Sequence, residues 1–231
     1  LVNDLFPTDP TQELPYPPHS QAQENYWITP SNIISMIEST NNKKAPGNDH
    51  ITNNMLKQIK HELSRPLSTI FNKIITLGYY PRNWKNSVIS VFPKSNKEDL
   101  LNPNNYRPIS LISSLSKLLE KFIQTTLQKF IETNNLLNSN QHGFTKHRST
   151  TTALTNITKD ILDNKKQHPT SILAIDYSKA FDHANWNIII KNLSQANFPL
   201  SIINVIRSYL TDRSVTFHYN QHKHTQSTNK G

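Results

Sequence analysis

The stretch LAIDYSKAFD, residues 173–182, combines an apolar run with two aspartates. With the two residues before it, the run reads SILAIDY over residues 171–177, which is the strongest strand pattern in the chain. We therefore predict a buried strand with Asp176 at its end. Because a buried charge without a partner is unfavourable, this carboxylate should either meet a cation or lie where the strand leaves the core.

Asp176 has two interpretations from the sequence. Mg²⁺ in proteins prefers one or two carboxylates together with substrate phosphate oxygens, and an aspartate at a strand end suits that role. Aspartate is also favoured as the N-cap of a following helix. Asp182, at the end of the stretch, is expected to cap the next helix or to pair with a nearby base. The sequence leaves both the metal-ligand and the N-cap interpretation open.

The composition of the chain predicts a polyanionic partner. Among 231 residues, 25 are lysine or arginine and 16 are aspartate or glutamate, so the formal net charge is +9. Nucleic acid is the commonest such partner, although a merely basic soluble protein has the same balance. The absence of cysteine excludes disulfides, zinc–thiolate sites and cysteine nucleophiles. No apolar run is long enough for a membrane span, so we expect no membrane partner.

Local signals predict a helix-rich chain after a proline-rich start. Residues 1–25 contain five prolines among polar residues, which is typical of a disordered linker. Thr29 and Pro30 then form a typical helix start, and Gly78 a typical helix stop. Apolar residues at helical spacing predict six further helices. They cover residues 52–62, 66–77, 114–132, 150–164, 186–195 and 200–210.

Two alternating segments predict a β-hairpin. SVISVFPK, residues 87–94, has the alternation of a strand, and YRPISLI, residues 106–112, follows it after a polar stretch. A hairpin with a long polar tip accounts for this order. A further short strand is predicted at VTFHY, residues 215–219.

The predicted hairpin carries three cations, Lys94, Lys97 and Arg107. Arginine suits bidentate binding of a phosphate, and lysine acts as a point charge. A hairpin that bears both can fold over a triphosphate. The alternative is an ordinary solvated loop, which these residues also suit.

A second basic segment is QHGFTKHRSTTTAL, residues 141–154. Lys146 and Arg148 lie close in sequence to a phenylalanine, and basic residues beside an aromatic ring suit a nucleic-acid strand. Ser149 or Thr150 equally suits the N-cap of the helix predicted next. Nucleic-acid contact and helix capping therefore both remain open for this segment.

Five blocks of the chain, in this order, resemble the reverse transcriptases of non-LTR retrotransposons, the LINE-like elements of jockey and I-element type. The resemblance covers the chain from about residue 27 to its end. The blocks are KKAPGNDHI (43–51), PRNWKNSVISVFPK (81–94), NYRPISLISSLSKLLEK (105–121), QHGFTKHRSTTTAL (141–154) and AIDYSKAFD (174–182).

The resemblance implies an α+β chain with a right-hand polymerase fold. Residues 26–168 would form helix-rich fingers with the β-hairpin, and residues 169–231 the start of a palm, truncated before the second catalytic motif. Because a two-metal site needs carboxylates from both palm segments, we expect this chain, taken as a fragment of a longer protein, to be inactive alone. Its truncated palm sheet would leave the strand at 171–177 with unpaired edges.

Family resemblance also implies roles for single residues. Asp176 matches the first catalytic aspartate, which binds Mg²⁺, or Mn²⁺, with help from the backbone carbonyl of Tyr177. Lys94 and Arg107 match the residues that grip the nucleotide triphosphate. Phe181 matches the aromatic gate that packs under the sugar and disfavours ribonucleotides.

The basic segment matches the family less closely. Lys146 and Arg148 would lie near the template or the nucleotide. The family usually has a basic residue directly after the Gly-Phe pair, and Thr145 stands there in this chain. Lys146 would then take a shifted role, or one contact would be weaker.

The chemistry implied by the resemblance is transfer of a nucleotide from a deoxynucleoside triphosphate to a primer 3′-hydroxyl. Two metal ions would stabilise the attacking and leaving oxygens. An RNA template and a DNA primer would be the partners, and the implied localisation is the nucleus and the cytoplasm.

Two alternatives share parts of this pattern. A non-catalytic, basic nucleic-acid-binding remnant of a decayed element would keep the charge and the fold, and its binding would weaken steeply with salt. A metal-dependent phosphohydrolase around Asp176 would need further carboxylates or histidines, such as the neighbouring Asp182 and His183. The five ordered blocks favour the polymerase over both.

Overall fold

The computed structural model places two compact units in the chain. The first contains residues 1–127 and 181–231, and the second contains residues 128–180. The residues described are 27–95, 99, 101–102, 105–165, 169–178, 180–181, 183–219 and 222–228. The linker predicted over residues 1–25, and the candidates Lys97 and Asp182, lie outside them.

The described part of the chain has a mixed α/β structure, as the sequence predicts. The helices are α1 (Pro30–Glu38), α2 (Asn53–Gln58), α3 (Lys60–Leu77), α4 (Ser114–Thr133), α5 (Thr150–Asn164), α6 (Trp186–Gln195) and α7 (Leu200–Leu210). The strands are β1 (Asn86–Pro93), β2 (Tyr106–Leu111), β3 (Arg213–Tyr219) and β4 (His222–Thr228). A short 3-10 turn, Arg82–Trp84, leads into β1. Within these described helices, none is both long and apolar enough to cross a bilayer.

The predicted start of α1 is confirmed by its cap. The Thr29 hydroxyl accepts the Asn32 backbone N–H at 3.2 Å, while the Asn32 side chain accepts the Thr29 N–H at 3.0 Å. Pro30 occupies the first turn, where backbone N–H groups have no partner within the helix, so its missing N–H costs no helical hydrogen bond. The helix therefore begins where the sequence predicts.

The boundary predicted between residues 62 and 66 is wrong. α3 runs through Pro66, and the break from α2 falls at Ile59, whose φ of −116° and ψ of 26° are not helical. A proline inside a helix removes one backbone hydrogen bond. Burial of Leu67 and Phe71 on the same helix offsets that loss. α3 ends at Gly78, in the left-handed region at φ 61°, as predicted.

The apolar core of the first unit joins α1, α3, α4 and α7. Ile33, Phe71, Leu119 and Ile202, one from each helix, are fully buried in it. Burial of such a side chain stabilises the fold by about 1.5–3 kcal/mol. This cluster therefore holds the four helices together.

The sheet has the strand order β2-β1-β3-β4. β1 and β2 pair antiparallel, which confirms the predicted hairpin. β1 pairs with β3 in parallel, and β3 pairs with β4 antiparallel. The strand predicted at 215–219 is confirmed and begins two residues earlier, whereas β4 was not predicted.

The strand predicted at residues 171–177 is wrong. These residues have no regular secondary structure, and the side chains of Leu173 and Ile175 are 85% and 73% exposed. A strand is stabilised by pairing and by burial of one face, and no described strand pairs with this segment. Its β-forming composition therefore does not produce a strand here. The assignment of residues 26–168 to fingers and 169–231 to a palm stays a prediction.

Candidate active site

The block KKAPGNDHI packs against the junction between β2 and α4. A Cβ atom added to Gly47 would lie 2.5 Å from both the Ile112 carbonyl carbon and the Ser113 backbone nitrogen, so only glycine fits there without a shift. Lys117 of α4 donates a 2.9 Å hydrogen bond to the Ala45 carbonyl. These contacts fix the end of β2, the strand that carries Arg107.

The hairpin brings two predicted nucleotide-binding residues to the same end. Arg107 lies opposite Phe92 in the antiparallel register, and its side chain is exposed. The backbone N–H of Lys94 donates a 2.7 Å hydrogen bond to the Asn105 carbonyl. Both cations therefore lie where β1 ends and β2 begins, and their phosphate-binding role stays a prediction.

Phe181, the predicted sugar gate, belongs to the first unit and is 71% exposed. Its carbonyl accepts a 3.1 Å hydrogen bond from the Ala184 N–H. Asn185 then caps α6 by accepting the N–H of Asn187 at 2.9 Å and that of Ile188 at 3.3 Å. This turn presents the aromatic ring at the surface just before α6.

Asp176 and Tyr177, the predicted metal-binding residues, belong to the second unit and are exposed. They follow the segment that was predicted as a strand. The alternative N-cap role is not observed, because the next described helix begins at Trp186 and Asn185 caps it. The buried strand end that motivated the choice of Asp176 is therefore absent from the structure, while its match to the family motif is unaffected.

A metal site of three or more protein ligands is not formed by the described residues, which include no such cluster of histidine, cysteine, aspartate or glutamate. Asp176 supplies a single carboxylate, and a site for two metals needs more than one. The residues described here thus do not complete a two-metal site. They also lack the cluster that the phosphohydrolase alternative requires, with Asp182 outside the described residues.

The basic segment of the second unit is tied to its own backbone. Arg148 donates from Nη1 to the Ser139 carbonyl and, at 3.0 Å, to the Gln141 carbonyl. Arg148 thus holds the turn at residues 139–141, a role that the sequence pattern did not indicate. Lys146 is exposed. Their predicted contact with template or nucleotide stays a prediction.

Ser149 confirms the capping interpretation of the same segment. Its hydroxyl accepts the Thr152 backbone N–H at 3.2 Å, and the Thr152 hydroxyl accepts the Ser149 N–H at 2.9 Å. This reciprocal pair is a capping box that starts α5. Capping by Ser149 leaves the exposed Lys146 available for another contact, so the two interpretations are compatible.

A buried polar cluster joins α4, α7 and β3 in the first unit, and sequence reasoning missed it. The Tyr80 hydroxyl lies 2.7 Å from the Ser116 hydroxyl. Burial raises the pKa of the Glu120 carboxyl group and raises the pKa of Tyr209 to about 12. The guanidinium carbon of Arg213 lies 4.2 Å from the centre of the Tyr209 ring. Only the three-dimensional fold brings these distant residues together.

Comparison with protein families gives one match over most of the chain. The model of the reverse transcriptase (RNA-dependent DNA polymerase) family matches residues 92–231. The chain belongs to this family. Its members generally depend on a divalent metal and bind an RNA template, a primer and deoxynucleoside triphosphates.

Individual relatives identify the branch of the family. A probable RNA-directed DNA polymerase from transposon BS of Drosophila melanogaster is 34% identical over 78% of this chain and 20% of the relative. The polymerases of transposon X-element and of mobile element jockey, from the same organism, are 31% and 28% identical over 82% and 83% of the chain. The chain spans about one fifth of the length of these relatives. The resemblance to reverse transcriptases of non-LTR retrotransposons is confirmed.

Proposed function

We propose that this chain is the part of an RNA-directed DNA polymerase that binds the incoming deoxynucleoside triphosphate and supplies one metal-binding aspartate. The single observation that carries the proposal is the β1–β2 hairpin. It holds Lys94 and Arg107 at one end, in a segment that matches the reverse transcriptase family.

The hairpin residues bind phosphates in this proposal. The guanidinium of Arg107 offers a planar fork of donors, which suits two oxygens of a triphosphate. Lys94 adds a compact positive charge. Because Gly47 and Lys117 hold the far end of β2, Arg107 is presented on a rigid strand rather than on a loop.

The remaining site residues take the roles that the family motif gives them. Asp176 and the backbone carbonyl of Tyr177 would hold Mg²⁺ or Mn²⁺, and the metal supplies positive charge to the phosphates when bound. Phe181 packs under the sugar of the nucleotide. Lys146, with Arg148 holding the turn beside it, contacts the template or the nucleotide.

Primer extension tests the proposed function. The polypeptide of the complete open reading frame would be given an RNA template, a labelled DNA primer, the four deoxynucleoside triphosphates and Mg²⁺. We expect product, and we expect Asp176→Asn to reduce its rate at least about a hundredfold, because a metal ligand is lost. Asp163→Asn, an exposed change in the same unit, is the matched control and should keep the rate. Equal rates for both variants would contradict the role of Asp176.

A non-catalytic nucleic-acid-binding remnant is the second candidate, and the net charge of +9 favours it. It predicts salt-dependent binding of RNA or DNA without extension of a primer. The same assay separates the two candidates, because the remnant gives no product under any metal condition.

A further inference from the structure

A polar cleft lies on the first unit beside strands β3 and β4 of the sheet. It is bounded by the 3-10 turn before β1 and by β3 and β4. Every residue that lines it is polar or charged. Three of them, Arg82, Arg213 and Lys223, are cations, and Asp212 is the one carboxylate in the lining. This balance suits an anionic ligand.

The floor of the cleft is on the same face of the sheet as Arg107. Arg107 lies opposite Phe92 of β1. Val88, four residues before Phe92 on the same strand, lies opposite Thr216 of β3. Thr216 in turn lies opposite Thr225 of β4. Partners in adjacent strands, and residues an even number apart along one strand, share a face. The strand register therefore runs from the hairpin cation to the cleft along one surface.

Hydrogen bonds between side chains support this assignment of the faces. The Asn86 amide donates to the Ser214 hydroxyl at 2.8 Å and to the Thr216 hydroxyl at 2.9 Å. The opposite face buries Ile89 and Val215. At its β3–β4 side, the face of the sheet that includes the cleft therefore carries polar side chains.

Arg213 precedes Ser214 at the start of β3, so its side chain lies on the face opposite to that of Ser214 and Thr216. Its guanidinium lies over the Tyr209 ring, an arrangement that orients a cation. The Nη1 atom is buried and has no hydrogen-bond acceptor among the described residues. The guanidinium therefore belongs to the buried polar cluster around Tyr209, and the exposed cations of the cleft are Arg82 and Lys223.

The single carboxylate does not neutralise the lining. Lys85, next to the cleft, is buried, and its pKa is lowered, first by that burial. The negative charge of Asp212 raises the pKa of Lys85, whereas the positive charges of Arg213 and Arg82 lower it further. The cleft therefore has more cations, in its lining and beside it, than its single carboxylate can neutralise.

We propose that this cleft binds the phosphodiester backbone of a polynucleotide strand. Arginine, lysine, serine, threonine and asparagine side chains are the usual phosphate contacts of proteins, and the cleft combines all five types. It has no aromatic residue in its lining to stack on bases, so the backbone is the group recognised. The choice of a polynucleotide rests on the proposed function.

The cleft is separate from the triphosphate-binding end of the hairpin. β2 and β4 are three strand spacings apart, which is about 14 Å. Neither Lys94 nor Arg107 lines the cleft, and a polynucleotide strand is long enough to contact both places.

Equilibrium binding tests the cleft without any catalytic step. The 231-residue chain would be titrated against a fluorescent single-stranded RNA, with anisotropy measured at several salt concentrations in the absence of divalent metal. The test variant is Arg82→Gln with Lys223→Gln, since both side chains are exposed. In a plot of the logarithm of the association constant against the logarithm of the salt concentration, each lost phosphate contact makes the slope shallower by roughly 0.7. The loss of two contacts should therefore make it shallower by about 1.4.

The control variant removes the same charge elsewhere on the same unit. Lys73→Gln with Lys191→Gln changes two exposed lysines on α3 and α6, outside the cleft, and should keep the parent slope. Equal slopes for the two double variants, or no binding by the parent chain, would overturn the proposal. Displacement of the RNA by sodium triphosphate at constant ionic strength would also overturn it, in favour of a nucleotide site. Because the binding titration measures no catalytic step, a failure of the polymerase proposal in primer extension would leave its result unchanged. A failure of the cleft proposal would likewise leave the primer-extension result unchanged.

Discussion

The Ser113 hydroxyl donates a 2.6 Å hydrogen bond to the carboxylate of Asp49, across 64 residues of sequence. The other oxygen of that carboxylate accepts the Ile51 backbone N–H at 3.1 Å. Asp49 thereby closes its own turn and attaches it to the residues that follow β2. The block KKAPGNDHI, which contains Asp49, thus has a structural role that its sequence alone did not indicate. It anchors the strand that presents Arg107.

Gly47 is the most sensitive position of this junction. Gly47→Ala would place a Cβ atom 2.5 Å from backbone atoms of Ile112 and Ser113, and backbone cannot give way as a flexible side chain can. We expect a loss of about 1–3 kcal/mol in the free energy of unfolding, the usual range for overpacking. Urea denaturation followed by circular dichroism measures it.

Gly143→Ala is the control for this prediction. A Cβ atom there would meet only the Gln141 amide nitrogen, at 3.8 Å, which is ordinary van der Waals contact. Its free energy of unfolding should stay within about 0.5 kcal/mol of the parent value. Similar losses in the free energy of unfolding for the two alanine variants would mean that the close backbone contact at Gly47 does not cause the destabilisation.

Local signals account for the parts of the fold that the sequence predicts correctly. The cap at Thr29, the stop at Gly78 and the apolar face of α4 are each encoded within a few residues, so they can be identified without the rest of the fold. Alternation predicts the β1–β2 hairpin for the same reason, because its two strands are close in sequence.

The wrong and missing predictions concern features that depend on pairing between distant segments, which local sequence does not show. Residues 171–177 have the best strand composition, yet they pair with no described strand and remain exposed. β4 reads HKHTQST, a polar sequence with weak strand preference, and pairing with β3 makes it a strand. The cleft could not be predicted either, because Arg82 and Lys223 are far apart in sequence and meet only through the parallel β1–β3 pair.

Arg107→Lys tests whether the geometry of the guanidinium matters at the hairpin. Lysine keeps the charge but loses the planar fork of donors, so the substitution is not conservative at a bidentate phosphate site. In primer extension by the full polymerase, we expect KM for the nucleotide to rise about tenfold, equivalent to about 1.4 kcal/mol. Arg65→Lys, an exposed change on α3, should leave KM unchanged. An unchanged KM in Arg107→Lys would exclude bidentate binding of the triphosphate.

Glu120 gives the first unit a pH-dependent stability. Burial is the main cause that raises the pKa of its carboxyl group, so the folded state binds this proton more tightly than the unfolded state does. Its stabilising contribution is therefore full below the unfolded pKa of glutamate, about 4.3, and is lost as pH rises through the raised folded pKa.

The substitution Glu120→Gln removes this titration. Glutamine stays neutral and keeps an oxygen that can accept from Ser116, whose hydroxyl lies 3.4 Å from Glu120 Oε1. In the parent chain, the free energy of unfolding should fall as pH rises from about 4.3 towards neutrality, and the variant should show a flatter curve. Urea denaturation at a series of pH values measures both curves, with Glu132→Gln as a control that removes a charge from an exposed position. A parent curve that rises with pH where the variant is flat would reverse the sign argued here, and would mean that Arg213 and Tyr209 stabilise the Glu120 carboxylate more than burial disfavours it.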